Sequence, residues 1–488
     1  MPGSSGTSAP ATSGEVATAS RGAILTTLMC VQLLNTIDIT VMNMALPQIR
    51  VGLDMSPTAL SWVINAYALA YGGLLLLGGR TGDILGHRRA LMIGVSVFTL
   101  ASLLGGLAQE SWWLLAARAL QGLGAALAAP TTMALIVRIF TDPTERTKAL
   151  GISVMASGIG SAGGLLLGGL LTDAGSWRWV LFINVPVGLG ILLVAPRVIP
   201  PSVKLGGRFD LGGALSASLG MTALVYGFVR AADVGWTDPL TVGAFVLGVV
   251  LLAALVAIES RHAQPIVRLG LFADRNRSGG FAVFVCSGAA MFGMYFFFTQ
   301  YVQDVLGMSP LVAGLAFLPM ALPMIIVPRT LTPKLVNALG AKPTMLMGLA
   351  AVSAAMLWLS RLSPTSTYFE IVFGPMFIAG AGVGLLNAPL AATILAAVPP
   401  KDAGGASGLL QTVGMIGGSI GTAILVTIFG TTVRDDPQTP TLGPTSNEVL
   451  SHGIAAACLG GLTFAIVGFL LVLVVLRPAP RKRPEATS

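Results

Sequence analysis

Apolar runs of about 20 residues alternate with short polar segments along almost the whole chain. A helix needs about this many mostly apolar residues to cross a membrane, and fourteen such runs follow one another. The sixth is the shortest and ends at Pro196. The pattern predicts an all-α polytopic membrane protein with 14 transmembrane helices. The runs begin near Ala23, Leu60, Ala90, Trp112, Ala149, Val180, Leu211, Thr241, Gly280, Leu311, Pro343, Phe369, Gly404 and Gly453.

Composition and charge agree with a membrane protein and orient it. Charged residues are 10% of the 488 residues, against about 25% in an ordinary soluble domain. Most of the 28 Lys and Arg, among them Arg88, Arg89 and Arg146, fall in segments on the same side as the N-terminus. Basic segments stay cytoplasmic. We therefore expect a multi-pass protein of the cell (inner, cytoplasmic) membrane with both termini cytoplasmic and no nucleic-acid partner.

The segments outside the apolar runs leave little room for another activity. Residues 1–20 are small and polar and predict a disordered cytoplasmic tail, and residues 477–488 predict a basic cytoplasmic tail. Cys30, Cys286 and Cys458 lie inside apolar runs without a CxxC pair, which argues against a disulfide framework or a metal site. No soluble domain and no cluster of catalytic residues is visible. A membrane-embedded enzyme is therefore disfavoured.

Two charged residues lie deep inside the predicted spans, Asp38 in the first and Arg118 in the fourth. At 1.5 Å per residue, Arg118 lies about 9 Å and Asp38 about 13 Å from the same outer face. Charges at this depth are costly and usually functional, and desolvation favours the protonated form of a carboxylate. We predict that the two residues share one polar site at which Asp38 gains and loses a proton. The alternative is a static pair that fixes helix register.

Glycine-containing motifs accompany these charges. The segment Gly78–Leu91 contains glycines suited to a tight turn between two spans. In the fifth span Gly160, Gly164 and Gly168 are four residues apart, so they share a face on which two helices can approach closely.

These motifs, in this order along nearly the whole chain, resemble those of the major facilitator superfamily, in its fourteen-span drug:proton antiporter branch. NTIDITVMNMALP in the first span and WRWVLFINVPVG before the sixth are similar to signatures of that branch. Two departures are Leu165, where the antiporter motif has Pro, and Ile84, where the loop motif has a basic residue. The resemblance assigns a gating loop to Gly79, Asp83, Gly86, Arg88 and Arg89, and an antiporter glycine motif to Gly151, Gly160, Gly164, Gly168 and Gly169.

The resemblance also implies the domain organisation. It predicts a six-helix half at 21–200, two inserted helices at 201–265 and a second six-helix half at 266–476, an architecture built from repeats. A degenerate copy of the gating loop is then expected at Thr332–Pro343.

Together these observations predict a proton-coupled antiporter that exports small hydrophobic compounds, such as drugs or antibiotics, by alternating access. The proton gradient would drive it without a cofactor, since no GxxxxGK[ST] motif is present. Expected partners are the substrate, protons and the lipid bilayer, and we expect a monomer. An importer of a small nutrient on the same fold is the open alternative. Predicted substrate-cavity residues are Asn35, Gln121, Met294, Tyr295, Phe298 and Asn387.

Overall fold

The computed structural model describes residues 13–200, 210–261, 273–395 and 403–477, except the side chains of 13–20, Asp83 and a few other residues. All regular secondary structure in these ranges is helical. The first helix begins at Ser13, inside the predicted N-terminal tail, because a helix can continue past its apolar run into polar surroundings. The rest of that tail and the predicted basic tail from residue 478 lie outside the described residues.

Seven helices form the first bundle. Six of them are longer than a dozen residues. The seventh, the short α6, forms one span together with α7. The helices are α1 (Ser13–Gly52), α2 (Ser61–Leu85), α3 (His87–Gly106), α4 (Ser111–Ile139), α5 (Pro143–Asp173), α6 (Trp179–Phe182) and α7 (Asn184–Val198).

An inserted hairpin and a second bundle follow. The hairpin consists of α8 (Leu211–Val234) and α9 (Pro239–Arg261). In the second bundle, α10 continues into a π-helical turn at Tyr301–Val305, and another such turn at Phe369–Phe373 precedes α15. The helices of this bundle are α10 (Arg275–Gln300), α11 (Pro310–Ala316), α12 (Leu318–Thr330), α13 (Thr332–Leu339), α14 (Ala341–Leu359), α15 (Gly374–Leu395), α16 (Ala403–Asp435), α17 (Thr439–Leu442) and α18 (Asn447–Val474).

Thirteen helical segments in the described part of the chain are long and apolar enough to cross a membrane. They correspond to every predicted span except the second, which is α2, a helix of 25 residues. The total of fourteen therefore stays a prediction, whereas the all-helical, multi-pass architecture is confirmed. The sixth span runs from Trp179 to Val198 and contains Pro196 instead of ending there.

Two glycine turns mark one end of the molecule, the Gly86 end. Gly86 separates α2 from α3 with a φ of 91°, and Gly340 separates α13 from α14 with a φ of 99°. Glycine adopts these positive φ angles without steric cost. Two residues after each turn a basic side chain bonds the last turn of a distant helix: Arg88 donates to the Pro196 carbonyl at 2.7 Å, and Lys342 donates to the Leu473 carbonyl at 2.8 Å. The predicted second copy of the loop is thus a real structural counterpart.

The opposite end, the Asp304 end, holds the two bundles together. Arg50 at the end of α1 forms an ion pair of 3.1 Å with Asp304 in the π-helical turn after α10. Gln303 donates a hydrogen bond of 3.0 Å to the Met44 carbonyl. A Cβ added at Gly314 of α11 would lie 2.7 Å from the Leu165 carbonyl oxygen of α5, so the backbones of α5 and α11 touch. The bundles are closed against each other at this end.

The inserted hairpin is attached through α8 to both bundles. Thr58, in the loop after α1, donates a hydrogen bond of 2.5 Å to Asp233 of α8. Thr427 of α16 donates one of 2.6 Å to the Phe228 carbonyl. Leu69 of α2 and Val225 of α8 share one buried apolar cluster with α16. By contrast, only 11% of the apolar stretch of α9 is buried. Helix α8 therefore covers the seam between α2 and α16.

Candidate functional site

A buried ion pair lies in the middle of the first bundle. Arg118 Nη1 of α4 is 2.6 Å from Asp38 Oδ2 of α1. The side chains of Asp38 and Arg118 are 0% and 1% exposed. An isolated charge at this position would cost several kcal/mol, and direct contact with an opposite charge offsets part of that cost. Similar depth, together with the place of the first and fourth spans in the resembled fold, predicted a shared site, and the structure places the two groups in direct contact.

Neutral donors complete the coordination of the Asp38 carboxylate. Asp38 Oδ1 accepts hydrogen bonds from Gln121 Nε2 at 3.0 Å and from Asn184 Nδ2 at 2.8 Å. Gln121 Nε2 is also 2.8 Å from the hydroxyl of Ser102 on α3. With the Arg118 bond, Asp38 accepts three hydrogen bonds, so both carboxylate oxygens have partners.

Helix α2 supplies the remaining contacts of Arg118. Arg118 Nε donates to the Val63 carbonyl at 3.0 Å, and the guanidinium carbon lies 4.6 Å from the centre of the Tyr67 ring, a cation–π distance. Arg118 Nη1 also donates to Gln121 Oε1 at 2.8 Å. The guanidinium therefore keeps three partners when Asp38 is neutral. An arrangement of this kind tolerates both protonation states of the carboxylate.

Sequence reasoning missed several members of this site. Asn184, Ser102 and Tyr67 come from α7, α3 and α2, and which side of each helix faces the site depends on helix rotation, which the sequence pattern does not define. Gln121 was predicted to line the substrate cavity. The structure places Gln121 in the buried site, where it is 0% exposed and bonded to Asp38, and a substrate contact stays a prediction. Its position three residues after Arg118 on one helix was the available signal.

The second bundle repeats the helix contacts around this site. A Cβ added at Gly94 of α3 would lie 2.8 Å from the Gly124 carbonyl oxygen of α4, and one added at Gly348 of α14 would lie 2.6 Å from the Gly382 carbonyl oxygen of α15. Gly94 and Gly348 each follow their glycine turn by eight residues. The pair α14–α15 is therefore the counterpart of α3–α4.

These contacts identify the counterparts of the polar residues. Counted from the paired glycines, Met376 stands for Arg118, Ala379 for Gln121 and Met356 for Ser102. Gly164 of α5 faces Ile37 as Gly417 of α16 faces Val285, so Cys286 stands for Asp38. All four counterparts are buried. The charged site of the first bundle is thus replaced by an apolar cluster in the second.

Small apolar cavities lie in and beside that cluster. The larger, of about 20 Å³, has room for about one water-sized sphere, and the smaller is about 10 Å³. Met294 and Phe298 line the larger one together with α14, α16 and α18. Both residues lie on the side of α10 that packs inside the second bundle, and a substrate contact by either of them stays a prediction. Apolar periodicity did not predict on which side of α10 they lie.

The other predicted cavity residues have different surroundings. Tyr295 stacks on Phe317 with ring centres 5.5 Å apart, and its hydroxyl reaches Ser161 of α5, so it lies between the bundles. Asn35 is 6% exposed, and its Nδ2 has no hydrogen-bond partner among the described residues. Asn387 is half-buried, and within the same ranges its Oδ1 lacks a partner. A substrate contact by Asn35, Tyr295 or Asn387 stays a prediction.

The predicted glycine motif of α5 divides into three groups. Added Cβ atoms at Gly160 and Gly168 would lie 3.1 Å from Thr36 and 2.6 Å from the Val41 carbonyl oxygen, so this face packs closely on α1, and Gly164 shares it. Gly169 instead contacts Pro310 of the second bundle. An added Cβ at Gly151 would meet nothing within 4 Å, so Gly151 has no role in close packing.

The predicted gating-loop residues differ in their contacts and exposure. Arg88 bonds the end of α7, Gly79 approaches Pro130 with an added Cβ at 3.7 Å, and Arg89 is exposed. Asp83 lies in α2, but its side chain is outside the described part of the structure.

The sequence and the fold both match known transporters. Residues 28–422 match the sequence model of the Major Facilitator Superfamily. A puromycin resistance protein of Streptomyces alboniger is 39% identical, covering 93% of this chain and 90% of that protein. A cephamycin export protein of Amycolatopsis lactamdurans is 38% identical, with coverages of 90% and 88%. A lincomycin resistance protein of Streptomyces lincolnensis is 34% identical over 84% of both chains.

Solved structures agree on the fold. A bacterial homologue of the human lysosomal transporter Spinster, in an inward-facing conformation, superposes with a TM-score of 0.65 at 18% identity, covering 93% of this chain and 98% of that one. A peptide transporter in complex with sulfate gives a TM-score of 0.66 at 15% identity, with coverages of 93% and 96%.

Proposed function

Because the chain belongs to the Major Facilitator Superfamily, a family of membrane transporters, we propose that it exports small hydrophobic compounds from the cell in exchange for protons. The observation that carries the proposal is the buried contact between Asp38 and Arg118. Relatives named for resistance to puromycin and lincomycin and for export of cephamycin support a drug-like substrate.

Asp38 has the properties of a proton carrier. Its carboxylate is fully buried, and loss of the charge leaves Arg118 with the Val63 carbonyl, Gln121 and the Tyr67 ring. Protonation weakens the links between α1 and α4 without leaving the guanidinium unpaired. The carboxylate can therefore alternate between two states, which a proton-coupled cycle requires.

Closure at one end of the molecule supports alternating access. The bundles meet at the Asp304 end through the Arg50–Asp304 ion pair and the contact of α5 with α11. From the distribution of basic residues we infer that the Gly86 end and both termini face the cytoplasm. In that orientation the protein is closed towards the outside. We propose that it acts as a monomer in the cytoplasmic membrane, with the proton gradient as its energy source.

The test is transport by the purified protein in liposomes that contain a pH-sensitive dye, with puromycin and lincomycin as probes. Proton movement opposite to the drug is expected. In Asp38→Asn the drug-dependent proton flux should fall by about tenfold or more, because an amide neither binds nor releases a proton in this range. The matched control is Asp238→Asn, which removes a carboxylate bound to Arg230 at the start of α9, far from the site. That variant should transport normally.

Two results would contradict the proposal. Full proton coupling in Asp38→Asn would show that another group carries the proton. Proton movement in the same direction as the drug would make the protein an importer on the same fold.

A further inference from the structure

Helix α2 lies between the buried ion pair and the second bundle. On one side Arg118 bonds the Val63 carbonyl and lies over the Tyr67 ring. On the other side the Tyr71 hydroxyl donates a hydrogen bond of 3.2 Å to Gln411 Oε1 of α16. The rings of Tyr67 and Tyr71 stack with centres 5.8 Å apart and planes 18° from parallel. One line of contacts therefore joins Asp38 to the opposite bundle.

We propose that Tyr67 and Tyr71 are positioning residues that transmit the charge state of the Asp38–Arg118 pair to α16. This inference rests on the proposed proton coupling and adds the route by which protonation reaches the second bundle. Neither tyrosine touches the proton. They act through the position of α2.

The geometry of α2 suits this role. Val63, Tyr67 and Tyr71 are four residues apart, so they form one stripe along the helix. Each is at most 5% exposed. In such surroundings little water screens the guanidinium, and its interactions are stronger than at a surface. A change at Arg118 thus acts directly on α2, which contacts α16 of the second bundle.

The charges around Asp38 determine the direction of the change. The charged and titratable groups that face it among the described residues are Arg118 on α4 and Tyr67 on α2. Helices α3 and α7 contribute neutral Ser102 and Asn184, and α5 meets α1 through glycines and Ser157. When Asp38 accepts a proton, Arg118 loses its anion. The guanidinium then depends more strongly on the Val63 carbonyl and the Tyr67 ring, which draws α2 towards α4.

Simple packing does not explain the stripe. The Tyr67 hydroxyl is buried and has no hydrogen-bond partner among the described residues, a condition that costs free energy and that phenylalanine would avoid. The contact at α16 is equally specific. Next to the Tyr71–Gln411 bond, a Cβ added at Gly72 would lie 2.9 Å from Met415, so α2 and α16 touch closely here. A small movement of α2 must therefore either move α16 or break this contact.

The experiment measures the distance between the bundles as a function of pH. Spin labels at Gln109→Cys and Arg361→Cys, exposed positions on the two bundles at the Asp304 end, are introduced after replacement of the three native cysteines by alanine. The full-length protein in lipid nanodiscs should show two distance populations whose ratio changes with pH. Asp38→Asn should abolish that pH dependence, which tests the proposed proton coupling itself.

Tyr71→Phe tests the route. It removes one hydroxyl and should change the population ratio by about fivefold or more at the wild-type midpoint, the lower range of allosteric coupling. Gln411→Leu removes the acceptor of the same hydrogen bond on α16. The double variant should therefore change the population ratio no more than either single variant does. The matched control is Tyr368→Phe, which removes a hydroxyl bond of 3.0 Å to the Ala316 carbonyl away from this route. It should leave the pH profile unchanged.

The outcomes are distinguishable. Wild-type behaviour of Tyr71→Phe and Gln411→Leu, with pH dependence lost in Asp38→Asn, would overturn the route and leave proton coupling intact. A wild-type distance that does not change with pH would overturn the route because protonation then moves nothing, whereas the liposome assay alone decides the proposed function. Size-exclusion chromatography identifies a variant that fails to fold. If either Tyr71→Phe or Gln411→Leu does so, the other variant tests the route.

Discussion

Helices α3 and α4 meet at Gly94 and Gly124, and α14 and α15 meet at Gly348 and Gly382. Around the first contact lie a carboxylate, a guanidinium and neutral donors joined by hydrogen bonds of 2.6 to 3.0 Å. Around the second lie methionines, an alanine, a cysteine and small apolar voids. Both bundles therefore have the same scaffold, the close contact of two helices at paired glycines. Whether the residues around that contact are charged or apolar is independent of the scaffold.

The largest expected effect comes from replacing Arg118 by methionine, the residue at its counterpart position in the second bundle. Arg118→Met leaves Asp38 buried without its cation and should lower the free energy of unfolding by about 3–5 kcal/mol. The reference change Met376→Leu should cost less than about 1.5 kcal/mol. Denaturant unfolding in detergent measures both.

A triple variant sharpens this result. Asp38→Cys/Arg118→Met/Gln121→Ala copies the second bundle and should recover most of the lost stability, because replacing a whole buried ion pair by apolar groups is often neutral. Proton coupling should not return. A triple variant as unstable as Arg118→Met would break the comparison, since the scaffold would then require its polar contents.

Substitutions at the glycine contacts should have a smaller effect on stability, and the effect should be equal in the two bundles. Gly124→Ala would place a Cβ 2.6 Å from the Phe98 nitrogen, and Gly382→Ala would place one 2.6 Å from the Gly348 carbonyl oxygen. Each should destabilise the protein by about 1–3 kcal/mol through overpacking. The control is Gly163→Ala, where a Cβ meets nothing within 4 Å, so stability should be unchanged or rise by up to about 1 kcal/mol. Tolerance of alanine at only one of the two positions would show that the scaffolds differ.

The smallest effect concerns an ion pair that the second bundle keeps at its surface. The backbone N–H of Gln438 and the His452 ring, 2.7 Å from Asp436, lower the pKa of Asp436 below its usual 3.8. A lowered pKa stabilises the folded state above the unfolded pKa, and the contribution is lost as pH falls through the folded pKa. Asp436→Asn should therefore lower Tm by about 1 °C at pH 7, and the difference should shrink as pH falls below 3.8 and through the lowered pKa.

A neighbouring residue supplies the control for this pH effect. Asp435 is exposed and forms an ion pair with the adjacent Arg434, so Asp435→Asn should not change Tm. A difference for Asp436→Asn that does not shrink at all as pH falls below 3.8 would show that charge is not its cause.

Much of the fold follows from the sequence, and less of the site. Lengths of apolar runs predicted the spans, and Gly160, Gly164 and Gly168 predicted the face of α5 that packs on α1, because period and spacing fix which residues share a helix face. Similar depths, about 9 and 13 Å from one membrane surface, together with the place of the first and fourth spans in the resembled fold, predicted a shared site for Asp38 and Arg118. The inferences about spans and helix faces use only the geometry of single helices.

What the sequence did not predict concerns the rotation of one helix against another. Asn184 and Ser102 were missed, and the side of α10 on which Met294 and Phe298 lie was not predicted, because the side that a helix presents to its neighbour depends on tertiary packing. Helix α10 carries apolar residues on several faces, so its sequence gives no preferred orientation. In such helices only contacts distinguish an internal packing residue from a cavity residue.

The inserted hairpin makes the two lateral seams of the molecule unequal. Ser218 of α8 fills the space above Gly73, and Ala232 fills that above Gly430 of α16. If α8 and α9 were excised, these glycine faces would be left as a furrow open to acyl chains. The remaining helices are therefore not a free-standing twelve-span carrier to which a hairpin was added. If one bundle rocks against the other, α2 and α16 must slide along α8, because α8 contacts both helices. Helix α8 then moves as a third part, separate from the two bundles.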